Sequence, residues 1–267
     1  MNKLDLDRES FESRVTDGAV VARFKAQAMD ILTDIDAGSG FLDFLEQMDN
    51  ETELLGYVQV NDGVWDSQAD VYNLGQFLSE NEEMHVKHGR DYGYLHDVVA
   101  ARFRNTIGRY LNTIVMFSKP IIAGFGGRIS AEYLGLSLAF DARFAAANTT
   151  FTFDNVRTGI PAAPGITYLM PRYIGPGRTL ALVNQGDTID AEQALALGLI
   201  TGIVNEGQDL AEVCLEYIQT LSKNHRDILQ SNHQSILPSA GDIGTALERY
   251  YELMGKVITT RRNQMQS

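Results

Sequence analysis

Residues 126–141 read "GGRISAEYLGLSLAFD". Two glycines run into a segment of helical spacing, the arrangement in which backbone N–H groups gather around an anion. Loops of this kind are usually rich in glycine, because a bare backbone approaches a ligand closely. Here Ala131, Glu132 and Tyr133 stand where further glycines are expected, so one stretch offers N–H donors, a carboxyl group and a phenol. Elsewhere, His85 and His88 are three residues apart, with Glu82 and Glu83 just before them. That spacing suits two ligands on one helical turn, but a third member of a metal site is lacking. The segment reads instead as an exposed loop, or as a cover over a pocket, and no metal is expected. Cys214 is the single cysteine, which excludes an internal disulfide and a cysteine-cluster metal site. Its neighbours Glu212 and Glu216 offer little as activating bases, and it reads as a small residue on a helix face.

The chain has 267 residues, 44% of them hydrophobic and 21% charged, with a formal net charge of −13. That length suits one large domain, or one with a small appendage, and the composition is that of a globular protein. The acidic balance argues against nucleic acid and anionic membrane surfaces as partners, since both demand a basic patch. There is no apolar run long enough for a transmembrane helix. The start, "MNKLDLDRESFESRV", lacks the apolar centre of a signal peptide, so a cytoplasmic location is expected.

The elements that must position these residues follow from periodicity. "GAVVARF" (18–24) and "LLGYVQVND" (54–62) predict strands, and "AQAMDILTDI" a helix. "GFLDFLEQMDN" (40–50) predicts a helix with Phe41, Phe44, Leu45 and Met48 on one face. The polar stretch 78–94 reads as a loop or solvated helix, and 95–118 as a long helix stopped by Pro120. "PIIAGFGG" is a strand entering the glycine loop, "AEYLGLSLAFD" a helix, "ARFAAANTTFTF" strand-like and "TGIVN" a strand. Residues 167–175, 178–186 and 190–200 read as short helical units, and the tail beyond 206 as helices. This is an α/β core, 1–205, followed by a helical segment, 206–267.

Three stretches together resemble the crotonase (enoyl-CoA hydratase/isomerase) superfamily: "KPIIAGFGG" (119–127), "LSLAFDARFAAANTTFTF" (136–153) and "GIPAAPGITYLMPRYIGPGRTLALVNQGDTIDAEQALALGLITGIV" (159–204). They follow that family's order of Lys-Pro, apolar strand, glycine loop, helix, Asp-x-Arg, Gly-x-x-Pro-x-x-Gly-like stretch and Pro-Arg-x-x-Gly. "YVQVNDGVWDSQADVYNL" (57–74) is similar to the family's other loop. The likeness covers about residues 15–205. It implies a spiral of ββα units with C-terminal helices for trimerisation, as a homotrimer or dimer of trimers. It also implies an acyl thioester ligand carried by coenzyme A or an acyl carrier, and no further cofactor.

In such a site two backbone N–H groups stabilise the oxygen of an enolate. The resemblance puts the first donor at Ala69, followed by Asp70, and the second at Glu132. Without it, "WDSQAD" is a strand-to-helix turn capped by Asp66 or Ser67. The two glutamates that many hydratases use fall on Gly135 and Asn155, so neither is present. A water held between two glutamates at those positions is therefore not expected. Glu132 and Asp154 become the candidate bases, Tyr133 a candidate acid, and Asn155 or Arg157 groups that orient substrate. A plainer reading makes Glu132 a helix-start carboxylate and pairs Asp154 with Arg157 at the surface. Lys25, Arg23, Asp70 and Lys256, with Arg261, are candidates for binding coenzyme A. Each of those cations reads more readily as a solvated surface charge. Two functions result: an acyl-CoA lyase, isomerase or hydrolase with relocated acid–base groups, or a catalytically silent crotonase-fold binding protein or scaffold.

Overall fold

The computed structural model describes residues 2–25, 28, 30–62, 101, 103–158 and 161–265. The predicted 18–24 strand is β3 (Ala19–Phe24), and it is the inner edge of an unpredicted hairpin with β1 (Leu6–Asp7) and β2 (Phe11–Thr16). Helix α1 (Asp30–Thr33) is short. Helix α2 (Ile35–Asn50) starts five residues before the predicted point, because the Asp34 carboxylate accepts from the Asp36 and Ala37 amides and caps the first turn. Its predicted apolar face is buried at Phe41, Phe44, Leu45 and Met48.

Strand β4 (Gly56–Asn61) follows. The described end of the predicted long helix is a π-helical turn, Arg104–Gly108, continuing into α3 (Arg109–Met116). Then come β5 (Ile121–Phe125), β6 (Arg128–Ser130) and α4 (Ala131–Ser137). The single strand expected over "ARFAAANTTFTF" is two, β7 (Ala142–Ala146) and β8 (Thr150–Thr152), split between different sheets. Downstream lie α5 (Asn155–Thr158), a π-helical turn Gly165–Leu169, α6 (Met170–Ile174), α7 (Pro176–Gln185), β9 (Thr188–Asp190), α8 (Ala191–Ala196) and β10 (Gly202–Val204). The tail is α9 (Leu210–Leu221), α10 (Arg226–Ile236) and α11 (Ala240–Met265).

The larger sheet runs β1-β2-β3-β4-β5-β7-β10, parallel from β3 onward. A smaller sheet joins β6, β8 and β9. Parallel strands covered on both faces are apolar on both, and β4 shows how the faces divide. Val58 and Val60 meet Ala211, Cys214, Leu215 and Ile218 of α9, while Tyr57 faces the main core with α2 and α3. Cys214 is buried there, its thiol pushed up to about 12 by loss of solvation. Helix α11 buries Ile243, Leu247, Tyr250, Tyr251 and Met254, and Glu248 accepts both ends of a forked contact from Arg104 at 2.8 Å each.

Several motif residues turn out to be chain clamps. Arg143 is buried and donates to the carbonyls of Leu199, Ser137 and Phe140. The fully buried Lys119 side chain donates to the Asp49 carbonyl. Asp141 accepts from the Ile121 amide through Oδ2 (2.7 Å) and meets His233 Nδ1 through Oδ1 (2.9 Å). The other ring nitrogen of His233 faces the Ile114 carbonyl at 3.1 Å. Both nitrogens thus face acceptors, which only the doubly protonated ring satisfies as donor twice. Burial opposes that charge, but the Asp141 carboxylate and the Ile114 carbonyl outweigh it and raise the His233 pKa. His233 is also the one buried side chain of α10.

A raised folded-state pKa contributes stability that is complete below the unfolded value of about 6.5. That contribution fades as the pH climbs through the folded value. Urea midpoints of the wild type should therefore fall across that window. His233→Leu should lose roughly 1.5–3 kcal/mol at acid pH and show a flatter profile.

Candidate active site

Helix α4 begins with Ser130, whose Oγ accepts from the Tyr133 amide at 3.4 Å. The cap is thus supplied by Ser130, leaving the Glu132 carboxylate to turn elsewhere. Asn155 Nδ2 donates to Glu132 Oε1 at 2.6 Å, and the Ala163 amide donates to the same oxygen at 3.2 Å. Asn155 stands at the start of α5 and is buried. Ala163 sits just before the π-helical turn Gly165–Leu169.

Burial raises the Glu132 pKa above the ordinary carboxyl value. The Ala163 amide, the Asn155 side chain and the N–H of Glu132 itself pull the other way, and the nearby charge of Asp154 adds to the rise. Burial thus favours the neutral carboxyl while the aimed N–H groups favour the charged one.

Asp154 immediately precedes α5 and is buried to 9% exposure. Its carboxylate has no hydrogen-bond or ion-pair partner among the described residues. Its contact with Arg157 is through the backbone, Arg157 N donating to the Asp154 carbonyl at 2.9 Å. The surface ion pair that their spacing suggested is absent among the described residues. Glu132 is therefore bonded by Asn155 and feels the charge of Asp154, two neighbours of each other that lie far from it along the chain.

Tyr133 does not join them. It is 2% exposed, packed against Phe24 and Phe125, and its hydroxyl accepts from Gln59 Nε2. The hydroxyls of Tyr57 and Tyr110 donate to Gln59 Oε1 at 3.0 and 3.2 Å. Burial drives the Tyr133 pKa well up. Consecutive helix positions point about 100° apart, so Glu132 faces the site while Tyr133 faces the core.

Ala69 and Asp70 lie outside the described residues, as do His85 and His88. Arg23 contacts Asp62 at 3.2 Å and Asp209 at 3.6 Å. Lys25 pairs with Asp7 and donates to the Arg8 carbonyl at 2.8 Å. Lys256 pairs with Glu252 one turn away at 2.7 Å. All three cations are at least partly exposed, and each already has an anionic neighbour.

The position of the absent glutamate at 135 has a steric explanation. A Cβ on Gly135 would lie 2.7 Å from the Ile166 amide nitrogen, and one on Gly165 only 2.4 Å from the Gly135 carbonyl carbon. The two glycines let α4 and the π-helical turn touch backbone to backbone, and no side chain fits between them. One group that sequence reasoning missed is Tyr250 of α11, whose hydroxyl donates to the Pro161 carbonyl at 3.1 Å. Its pKa is raised by burial and, next, by the charge of Glu132, which places it beside the site.

Comparison with known proteins agrees with this architecture. Residues 90–256 match the enoyl-CoA hydratase/isomerase family, and the chain belongs to it. A short-chain-enoyl-CoA hydratase of Clostridium acetobutylicum is 26% identical over 215 residues, covering 80% of this chain and 76% of that protein. A crotonyl-CoA hydratase of Syntrophomonas wolfei is 28% identical over 176 residues, or 65% of this chain and 68% of that one. The crystal structure of an enoyl-CoA hydratase from Bacillus halodurans superposes with a TM-score of 0.76 at 20% identity, covering 93% and 94% of the two chains. The fold is thus the mixed α/β crotonase fold, with its mainly parallel sheet. Among the described residues no helix is long and apolar enough to cross a membrane.

Replacing Gly135 by Ala should cost roughly 1–3 kcal/mol, the usual penalty for overpacking, seen as a lowered thermal midpoint. Gly135→Glu, which restores the side chain that many hydratases carry there, should destabilise further and bring no gain in activity.

Proposed function

We propose that the chain hydrates an enoyl-CoA thioester with a relocated pair of carboxyl groups, Glu132 and Asp154. The observation that carries this reading is the environment of Glu132: half-buried, held by Asn155 and the Ala163 amide, and raised in pKa beside a second carboxylate. Two carboxyls in unlike surroundings divide the roles of acid and base. Asp154 takes a proton from water as the hydroxyl adds to the β-carbon. Glu132 gives its proton to the α-carbon as the enolate collapses, and the proton gained by Asp154 returns to Glu132 to close the cycle. Charge on the thioester oxygen falls on N–H donors, with Ala69 and Glu132 in that role. The oxygen there competes with the Glu132 carboxylate for the Glu132 N–H. The hydratase names of the two relatives support the substrate class, and a trimer-based assembly is the expected form.

A second reading, a protein that binds acyl-CoA without turning it over, is favoured by one feature. The Glu132 N–H already interacts with its own carboxylate, which would leave a thioester oxygen one donor short.

Hydration of crotonyl-CoA, followed beside calorimetric binding of crotonyl-CoA and CoA, separates the two. Glu132→Gln and Asp154→Asn should each lower kcat by roughly 10²–10⁴ with smaller effects on KM. The wild-type rate should fall as the pH rises through the raised Glu132 value, because the acid form is consumed. Binding without turnover would establish the silent reading, and no binding of either ligand would overturn the thioester assignment.

A further inference from the structure

The C-terminal helix α11 runs over the turn that carries Ala163. Tyr250 is buried in this contact and its hydroxyl donates to the Pro161 carbonyl at 3.1 Å. Two residues on, the Ala163 amide donates to Glu132 Oε1. The turn is therefore held at one end by the helix and at the other by the carboxylate. Ala162, between them, is buried in the main core, so the turn has little room to drift once both ends are tied.

We propose that Tyr250 is a positioning residue for Glu132: its hydroxyl fixes the Pro161 carbonyl, and so aims the Ala163 N–H at the carboxylate. The proposal deepens the reading of Glu132 as the acid and rests on it for its functional meaning.

The Ala163 N–H favours the ionised carboxylate. The other groups that act on Glu132 are Asn155 and Asp154 around the start of α5 and the N–H of Glu132 itself in α4, while Tyr250 in α11 feels the Glu132 charge in turn. Removing the Tyr250 hydroxyl leaves Asn155, Asp154 and the Glu132 N–H in place and takes away the constraint on the turn. With Ala163 less well aimed, the carboxyl should hold its proton to a higher pH. A role confined to packing would instead lower the thermal midpoint and leave the titration where it was.

The test is a carbon-13 NMR titration of full-length protein labelled at the glutamate carboxyls. The Glu132 resonance is assigned by its disappearance in Glu132→Gln. Tyr250→Phe should titrate at higher pH than the wild type, and the alkaline limb of kcat should move the same way. Tyr251→Phe, one position along the same helix, should titrate as the wild type does. A folded Tyr250→Phe whose Glu132 titration coincides with the wild type overturns the proposal. A second measurement needs no variant: the wild-type Ala163 amide should exchange with solvent as slowly as the core amides of α11, and rapid exchange would also overturn it. The titration reads the carboxyl without turnover. An inactive wild type with the shift therefore supports the Tyr250 role while removing hydration, and an active enzyme without the shift removes the Tyr250 role alone.

Discussion

Two glycines in backbone contact, Gly135 in α4 and Gly165 at the head of a π-helical turn, govern the shape of this site. Atoms that close leave no volume for a side chain on either partner. The approach brings the Ala163 turn within hydrogen-bonding distance of the first turn of α4, and so creates the seat for the Glu132 carboxylate. It also closes position 135, where the resemblance would place a glutamate. A tight helix contact and a carboxylate at 135 are mutually exclusive, and this chain has the contact. Glu132 and Asp154 reach the neighbourhood from other positions, close enough for the charge of one to act on the other.

The seat works by opposition. Taking a carboxylate out of water is expensive, and two or three aimed N–H groups offset much of that cost. Here the offset is incomplete, which leaves the Glu132 pKa above the ordinary range. The neighbouring residue shows the contrast. Tyr133 is also deprived of water, but it sits among aromatic rings beside the Gln59 amide, and burial drives its pKa well up. One residue of helix rotation separates a carboxyl held by N–H donors from a phenol locked in the core.

Much of the fold was legible in the residues. The apolar spacing of Phe41, Phe44, Leu45 and Met48 marked α2, and the β-branched runs marked β3 and β4, because burial on a regular element leaves a period in the sequence. The short strands β1, β6 and β9 left none. They are two or three residues long, too brief for any period, and exist because partners from elsewhere complete their hydrogen bonds. Of the site, Glu132, Asp154 and Asn155 could be nominated by their types and by the resemblance, but their grouping could not. The Glu132–Asn155 bond spans 23 positions, and the Tyr250–Pro161 bond spans 89. Nothing local marks a tyrosine in a long amphipathic helix as different from its neighbour. Asp141 and Arg143 carried the clearest motif and serve the backbone rather than the chemistry.

The glutamine at the centre of the tyrosine cluster has a consequence for assembly of the sheet. Gln59 lies on the same face of β4 as Tyr57, between residues that belong to the apolar layer under α9. Sliding β4 by one place against β3 and β5 would reverse every side chain on it. A valine would then confront the phenolic oxygens of Tyr110 and Tyr133, and the amide would be stranded among Cys214, Ile218 and their aliphatic neighbours. Mispairing is thus penalised twice over, once on each side of the strand, so a single polar residue acts as a proof-reader for the parallel sheet.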